Sequence, residues 1–529
     1  MDLDEGGFTE QDAFRALNTL PPPTNTLEQK RGHNMENYME RVGLSVEELD
    51  RLNIIHVTGT KGKGSTCAFT EQILRSHGFR TGFFSSPHLV DIRERIRING
   101  QPVDKELFYK HFSQVYRCLD ETKDNYDGLM PRYFSFFTLL AFRVFLEEKV
   151  DLAIIEVGIG GHYDSTNVIR RPWVCGVSSL GIDHIAILGD TVEKIAWHKG
   201  GIFKPGVPAF TVKQPGDAMA VLEERAKEKQ CPLWVCPDLE DYQTDGGPLR
   251  LSLQGKHQHP NASLALQLSH TWLQRRRLDR SFPTSPVEDT GVLQVSFLKP
   301  SPIMVKGLAE TVWAGRTHIL KHGEVTYFLD GAHTMRSMQA CANWFKEISA
   351  QHETNASGPV ARVLLFNTVG ERDSKAMLRL LLPCHFDFAA FCTNIPDVGT
   401  FCPTDLWNVN HTVENMKTRC LENERNWKLC NNVEDRNGMQ LTANNLTLLV
   451  PDRKANTLVF PCALSALQWI SQGRDSVLTD GANSALKGKP SVKAKAPLLH
   501  DAAEIHVLIT GSLRLVGGAL KNLDPASYK

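Results

Sequence analysis

The twelve cysteines never stand in a C-x-x-C pair, so the spacing that marks a structural zinc site is missing. Net charge is nearly absent: 59 Lys and Arg face 60 Asp and Glu, for a formal charge of -1. That removes any global attraction to nucleic acid or to an anionic membrane. Long apolar runs are lacking too. The most apolar stretch, Phe134 to Leu146, is short and interrupted by Ser135 and Arg143, so it reads as a buried helix and not as an integral membrane segment. The first residues, Met1-Asp2-Leu3-Asp4-Glu5, are acidic, with neither the apolar core of a secretory signal nor the Arg-rich bias of a mitochondrial leader. The expectation is a cytoplasmic chain with reduced thiols. Nothing signals an oligomer seam, which leaves a monomer as the default.

What is present suggests roughly two to four domains for 529 residues. With 41% hydrophobic and 22% charged residues, each domain has material for a normal core. Short apolar runs alternate with longer amphipathic stretches. Strands are expected at Ile54–Val57, Thr81–Phe84, Leu152–Val157, Val174–Val177 and Ala209–Val212. Between the first two, Ser65 to His77 carries Ala68, Phe69, Ile73 and Leu74 on one helical face and stops at Gly78. Strand, helix, strand in repetition predicts an α/β fold with a parallel sheet. A second series has strands at Thr326–Leu329, Arg362–Phe366, Phe386–Phe391 and His506–Thr510. The polar, proline-containing stretch Gln274 to Pro300 separates the two series, giving domains over 1–300, with an N-terminal helical segment, and over 301–529. Residues 403–455 and 473–499 read as insertions, the basic run Lys487 to Lys495 as a solvated linker.

One segment points to chemistry. The strand Ile54–Val57 runs into Gly59-Thr60-Lys61-Gly62-Lys63-Gly64-Ser65 and then a helix, the context of a phosphate loop. The glycines let backbone N–H groups approach phosphate oxygens, the helix adds its dipole, and Lys63 is a point charge for the β- and γ-phosphates. The strict pattern G-x-x-x-x-G-K-[ST] fails, because its first Gly falls at Val57 and its hydroxyl at Gly64. A plain glycine turn is the alternative, and another residue must supply the hydroxyl that usually holds Mg²⁺. Leu152-Ala153-Ile154-Ile155-Glu156 ends a strand in a carboxylate, as a magnesium-holding strand does and as many ordinary strands do. The guanine-reading Asn-Lys-x-Asp is absent, as are the His-Arg-Asp and Asp-Phe-Gly of protein kinases. A ligase that activates a carboxylate as an acyl phosphate needs a phosphate loop, Mg²⁺ and a second domain that closes over ATP and acceptor, which suits a two-domain chain.

Other stretches follow in order: Ser85-Ser86-Pro87-His88-Leu89, Glu156 to Gly161, Gly181-Ile182-Asp183-His184, Ile195 to Ile202, His257 to Ala262, Trp313 to Arg316, Asp330-Gly331-Ala332-His333 and Thr510-Gly511-Ser512-Leu513. Together with the loop they resemble the Mur ligase superfamily and, in the Lys-Gly-Ser ending, its animal-type folylpolyglutamate synthase branch. The resemblance covers about residues 30 to 520 outside the insertions. It implies a P-loop ATPase domain followed by a Rossmann-like domain. It implies ATP and Mg²⁺, with a monovalent cation such as K⁺ besides, and the addition of L-glutamate to the γ-carboxylate of tetrahydrofolate and folylpolyglutamates. By the same resemblance, Gly59, Thr60, Lys61, Gly62, Lys63, Gly64 and Ser65 hold the nucleotide, and Asn261 lies on its adenine side. Arg316 takes the phosphates and Asp330 the ribose. Ser86, Glu156 and His184 are assigned magnesium, and Lys199 is a carbamylated ligand of a second ion. Lys63, Lys199 and His333 are the catalytic set. Apart from the resemblance, His184 is one of 19 histidines, and Lys199 reads equally as a structural or phosphate-facing lysine. A mitochondrial isoform with an added leader is implied as well. Another Mur-type amino-acid ligase, with a different acceptor, and a nucleotide-binding regulatory protein without catalysis are the competing readings.

Two departures from the family pattern lie close to these residues. His162-Tyr163 stands where bacterial members usually have Arg-Leu, and Thr334-Met335 where Asn-Pro is common. They put the folate form in doubt and argue against a dihydrofolate synthase activity. The pteridine pocket is left to two candidate loops, Gly32 to Tyr38 and Tyr133-Phe134.

Overall fold

The apolar runs become strands buried along their whole length, as parallel strands covered by helices on both faces must be. The computed structural model describes residues 8–22, 35–244, 247–277, 293–294, 298–370, 372–397, 413–431, 457–479 and 497–528. These fall into two units, one of residues 1–88, 92–252 and 257–312, the other of 89–91, 253–256 and 313–529.

Unit 1 is built on nine strands. They are β1 (Ile55–Thr58), β2 (Thr81–Phe84), β3 (Ile96–Ile98), β4 (Gln101–Pro102), β5 (Leu152–Glu156), β6 (Val174–Val177), β7 (Ala209–Thr211), β8 (Leu233–Val235) and β9 (Leu293–Gln294). Their spatial order is β4-β3-β2-β5-β1-β6-β7-β8-β9. All neighbours are parallel except β2/β3 and β3/β4. The β3–β4 hairpin turns at Asn99-Gly100, both at positive φ (50° and 77°), the dipeptide such a turn favours. β1 lies between β5 and β6 while the chain passes from β1 to β2, so the sheet changes direction at β1. Ligands of open α/β sheets bind beyond the carboxyl ends of strands at such a point. The buried helix expected over Phe134–Leu146 is present as Tyr133–Glu147 and buries Phe136, Phe137, Leu139, Leu140, Phe142 and Phe145.

Unit 2 carries β10 (His318–His322), β11 (Val325–Leu329), β12 (Val360–Phe366), β13 (Phe388–Cys392), β14 (Thr457–Phe460) and β15 (Glu504–Thr510), in the order β10-β11-β15-β12-β13-β14. Only β10/β11 is antiparallel. Alternate residues serve opposite faces: Val363 and Leu365 join one core cluster, Leu364 and Phe366 the other.

The expected domain line ran between 300 and 301, whereas the units divide between Val312 and Trp313. The helix Pro302–Glu310 lies in unit 1 because Gly307 packs against the helix Lys63–Ser76: a Cβ at Gly307 would stand 2.9 Å from the Ile73 Cα. Gly307→Ala is therefore expected to destabilise the protein. Overpacking of about 1–3 kcal/mol outweighs the gain of about 1 kcal/mol in helix propensity, read as a lower melting temperature. Inside the expected insertion 403–455, Val413–Cys430 is a helix. Residues 403–412, 432–455 and 480–496, the basic run among them, lie outside the described residues, as do 278–292 and 32–34. Among the described residues, no helix is long and apolar enough to cross a membrane.

Candidate active site

The loop that follows β1 is shaped by two glycines at positive φ. Gly59 (φ 152°) faces Ser178, whose Oγ would lie 1.9 Å from an added Cβ. Gly62 (φ 89°) faces Asn261, whose Oδ1 would lie 2.0 Å away. Asn261 is buried and pinned by bonds from its Nδ2 to Gln258 Oε1 (2.8 Å) and His257 O (3.3 Å). It thus packs on the loop itself.

Not every loop amide is open to a ligand. Those of Thr60 and Lys61 both donate to Ser179 O at 3.0 Å. The Thr60 hydroxyl donates to Gly181 O (3.0 Å) and accepts from Gly181 N–H (3.2 Å). Ser178 Oγ donates to Lys61 O at 2.8 Å, and Gln214 braces the segment from behind through Leu180 N–H and Ser178 O. The first intrahelical bond of Lys63–Ser76 runs from Thr66 to Gly62, and no side chain caps this helix. The N–H groups of Lys63, Gly64 and Ser65 therefore point out of an uncapped helix start, which suits an anion.

Around this helix start stand the other residues that the sequence singles out in unit 1. Glu156 ends β5 and is 4% exposed, and one of its oxygens accepts the Ser86 N–H at 3.0 Å. Lys199 closes the helix Val192–Lys199, where the dipole favours a cation; it is 3% exposed and donates from Nζ to Gly59 O at 2.7 Å. Asp183 pairs with Lys61 at 2.9 Å. Burial would raise the Asp183 carboxyl, but Lys61, His184 and the hydrogen bonds from both outweigh it and hold it at about 2. His184 is exposed overall, yet its imidazole is held down at about 4: desolvation is the largest cause, Asp183 opposes it, and Lys63, Lys199 and Lys61 add to it. The imidazole is neutral at neutral pH, the form in which it donates to a metal.

By donor type alone, a carboxylate, a hydroxyl and a neutral imidazole suit Mg²⁺ as partial ligands. Among the described residues, no three His, Cys, Asp or Glu side chains gather into a metal cage. Glu156 and His184 supply only two such groups beside the Ser86 hydroxyl. Mg²⁺ usually keeps waters and takes oxygens from phosphates, so a full protein cage is not needed.

In unit 2, Asp330 follows β11. Its oxygens accept from Thr317 N–H and Ala332 N–H, each at 2.9 Å, so the carboxylate shapes the Asp-Gly-Ala-His turn. Gly331 is required there, because a Cβ would meet Leu513 at 2.2 Å and Arg316 Nη1 at 2.8 Å. His333 Nδ1 bonds Gly331 O at 2.8 Å.

Both departures have a packing explanation. Thr334 is the N-cap of Met335–Glu353, in a capping box with Ser337, and Met335 is its first helical residue. Asn and Pro are favoured at those two positions for the same reasons. The His162 and Tyr163 rings lie 4.8 Å and 6.4 Å from Trp197, over which the Arg225 guanidinium also sits at 4.5 Å. In the candidate pteridine segments, Tyr38 donates to Met130 O at 3.2 Å, and the Phe134 ring lies over Gly158. Ser178, Ser179, Asp183 and Gln214 escaped the sequence reading. Asp183 was inside a quoted motif, but nothing in the sequence showed which loop it would meet.

Fold and site together define an α/β protein of two units, with a glycine-shaped loop at an uncapped helix start. No family model matches the chain. Over 99% of its length it is 52% identical to the mitochondrial folylpolyglutamate synthase of Homo sapiens, covering 93% of that protein. It is 50% identical to that of Bos taurus, with 99% of this chain and 94% of the relative covered. The chain belongs to the folylpolyglutamate synthase family. Its fold is that of the Mycobacterium tuberculosis folylpolyglutamate synthase complexed with ADP, at a TM-score of 0.66 and 20% identity, with 98% of this chain and 99% of the other covered.

Proposed function

We propose that this chain is an ATP-dependent ligase that adds L-glutamate to the γ-carboxylate of tetrahydrofolate and of folylpolyglutamates, releasing ADP and phosphate. The observation that carries the chemistry is the uncapped helix start behind Gly59 and Gly62, with Lys63, Lys199, Glu156 and His184 gathered around it. The substrate class comes from the full-length family membership.

The γ-carboxylate of the terminal glutamate attacks the γ-phosphorus of ATP and displaces ADP. Lys63 and the amides of the helix start hold the phosphates while charge shifts onto ADP. The amine of incoming glutamate attacks the acyl phosphate, a proton leaves the nitrogen, and collapse expels phosphate to leave a γ-amide. Each cycle adds about one negative charge through the free α-carboxylate. Ser86, Glu156 and His184 would hold Mg²⁺, which neutralises phosphate charge when bound. Lys199 would carry the carbamate that holds a second ion, and K⁺ would serve as an auxiliary ion. Arg316, in unit 2, supplies a guanidinium suited to phosphate oxygens, and the family resemblance assigns Asp330 and His333 nucleotide roles as well. The protein acts as a monomer in the cytoplasm, with a mitochondrial form besides; sedimentation and fractionation test these assignments.

The decisive test incubates the full chain with ATP, Mg²⁺, tetrahydrofolate and labelled L-glutamate. Labelled folate of increasing tail length is expected. Product only with another acceptor, or ATP binding with no product, would overturn the assignment.

A further inference from the structure

The segment Ser178–His184 is bonded to the phosphate loop along its length, and its last link is ionic. Lys61 Nζ lies 2.9 Å from Asp183 Oδ2. The other oxygen, Oδ1, accepts the N–H of His184 at 2.9 Å. His184 holds φ 51° and ψ 43°, a left-handed backbone that costs a non-glycine residue about 1–2 kcal/mol. One carboxylate thus fixes both a loop ammonium and the turn that carries the imidazole. The two side chains are 26% and 24% exposed, so the pair is within reach of solutes. Lys61 and Lys63 stand two residues apart in the same loop, and their ammonium groups repel one another until an anion arrives.

We propose that Asp183 is a positioning residue that holds the Lys61 ammonium in the nucleotide-free protein and is displaced from it when the phosphates bind. The inference rests on the phosphate-loop reading above. Asp183 keeps the cation cluster neutralised and Lys61 extended toward the site, at some loss of affinity for a nucleotide without metal. A bound cation offsets that loss, because the same carboxylate attracts it.

The test uses the full chain and measures ADP binding by calorimetry with and without Mg²⁺. Asp183→Asn keeps an oxygen for the His184 amide and removes the charge. Without Mg²⁺ it is expected to bind ADP about fivefold more tightly than the parent, the upper end for a partly exposed ion pair. With Mg²⁺ the advantage shrinks or reverses. In a Lys61→Gln background the same step gains clearly less, because its partner is gone. Weaker or unchanged metal-free binding overturns the proposal, since a merely structural aspartate can only weaken binding when removed. An equal gain in both backgrounds overturns it too. If Asp183→Asn loses its melting transition, Asp183→Ser carries the same expectation, and loss of folding in both assigns Asp183 a structural role instead. A parent chain that binds no ADP at all overturns the phosphate-loop reading and not the Asp183 geometry.

Discussion

Lys199→Ala is expected to lower glutamate ligation by about two to three orders of magnitude, the cost of deleting one preorganised charged group at a reacting centre, with no recovery on adding bicarbonate. Two effects add. The side chain is 3% exposed and donates to the Gly59 carbonyl, so its loss leaves that acceptor without its ammonium, a cost of about 1–3 kcal/mol carried by the loop. It also removes the nitrogen on which a carbamate would form. Lys199→Arg separates the effects: it retains a donor near Gly59 but cannot be carbamylated, so nucleotide binding recovers and turnover does not. Initial rates and the intact mass, which reveals bound CO₂, check both parts. Near-normal turnover of the alanine variant would remove Lys199 from the catalytic set.

Gly62→Ala is expected to weaken nucleotide binding at least tenfold and to lower kcat/KM by about tenfold to a hundredfold. The left-handed backbone costs an alanine about 1–2 kcal/mol. The new methyl would then sit 2.0 Å from Asn261 Oδ1 and 2.8 Å from its Cγ. Asn261 cannot swing aside freely, since Gln258 and His257 hold its amide. Each tenfold corresponds to about 1.4 kcal/mol, so strain and clash together account for the range. Gly43→Ala is the control. It has a similar φ of 72° with nothing within 4 Å, and it should cost stability while leaving nucleotide affinity unchanged. Asn261→Ala added to Gly62→Ala should restore part of the binding by opening the space.

Much of the central sheet was legible because parallel strands buried on both faces leave unbroken apolar runs. Val174–Val177 and Thr81–Phe84 appear with the expected ends, and the others shift by one or two residues. The strands at or next to the sheet margins were not legible. β3, β4, β8 and β10 are only partly buried and leave no long unbroken apolar run, although Asn99-Gly100 was a usable turn signal for one hairpin. In the site, glycine and lysine at the loop, Glu156 at a strand end and Lys199 in its motif could be named from the chain. What the loop amides bond to could not be named.

By itself the sequence determined the α/β class, the glycine-rich strand-to-helix loop and the family, since those rest on local periodicity and on ordered motifs. The tertiary structure alone decided that Thr60 and Lys61 turn their amides to Ser179, that Asn261 supports Gly62, and that Asp183 holds Lys61. Each of those pairs lies more than a hundred residues apart in the chain. The parallel pairing of β1 with β6 sets the loops that follow them side by side, and the start of the helix His259–Arg277 brings Asn261 to Gly62.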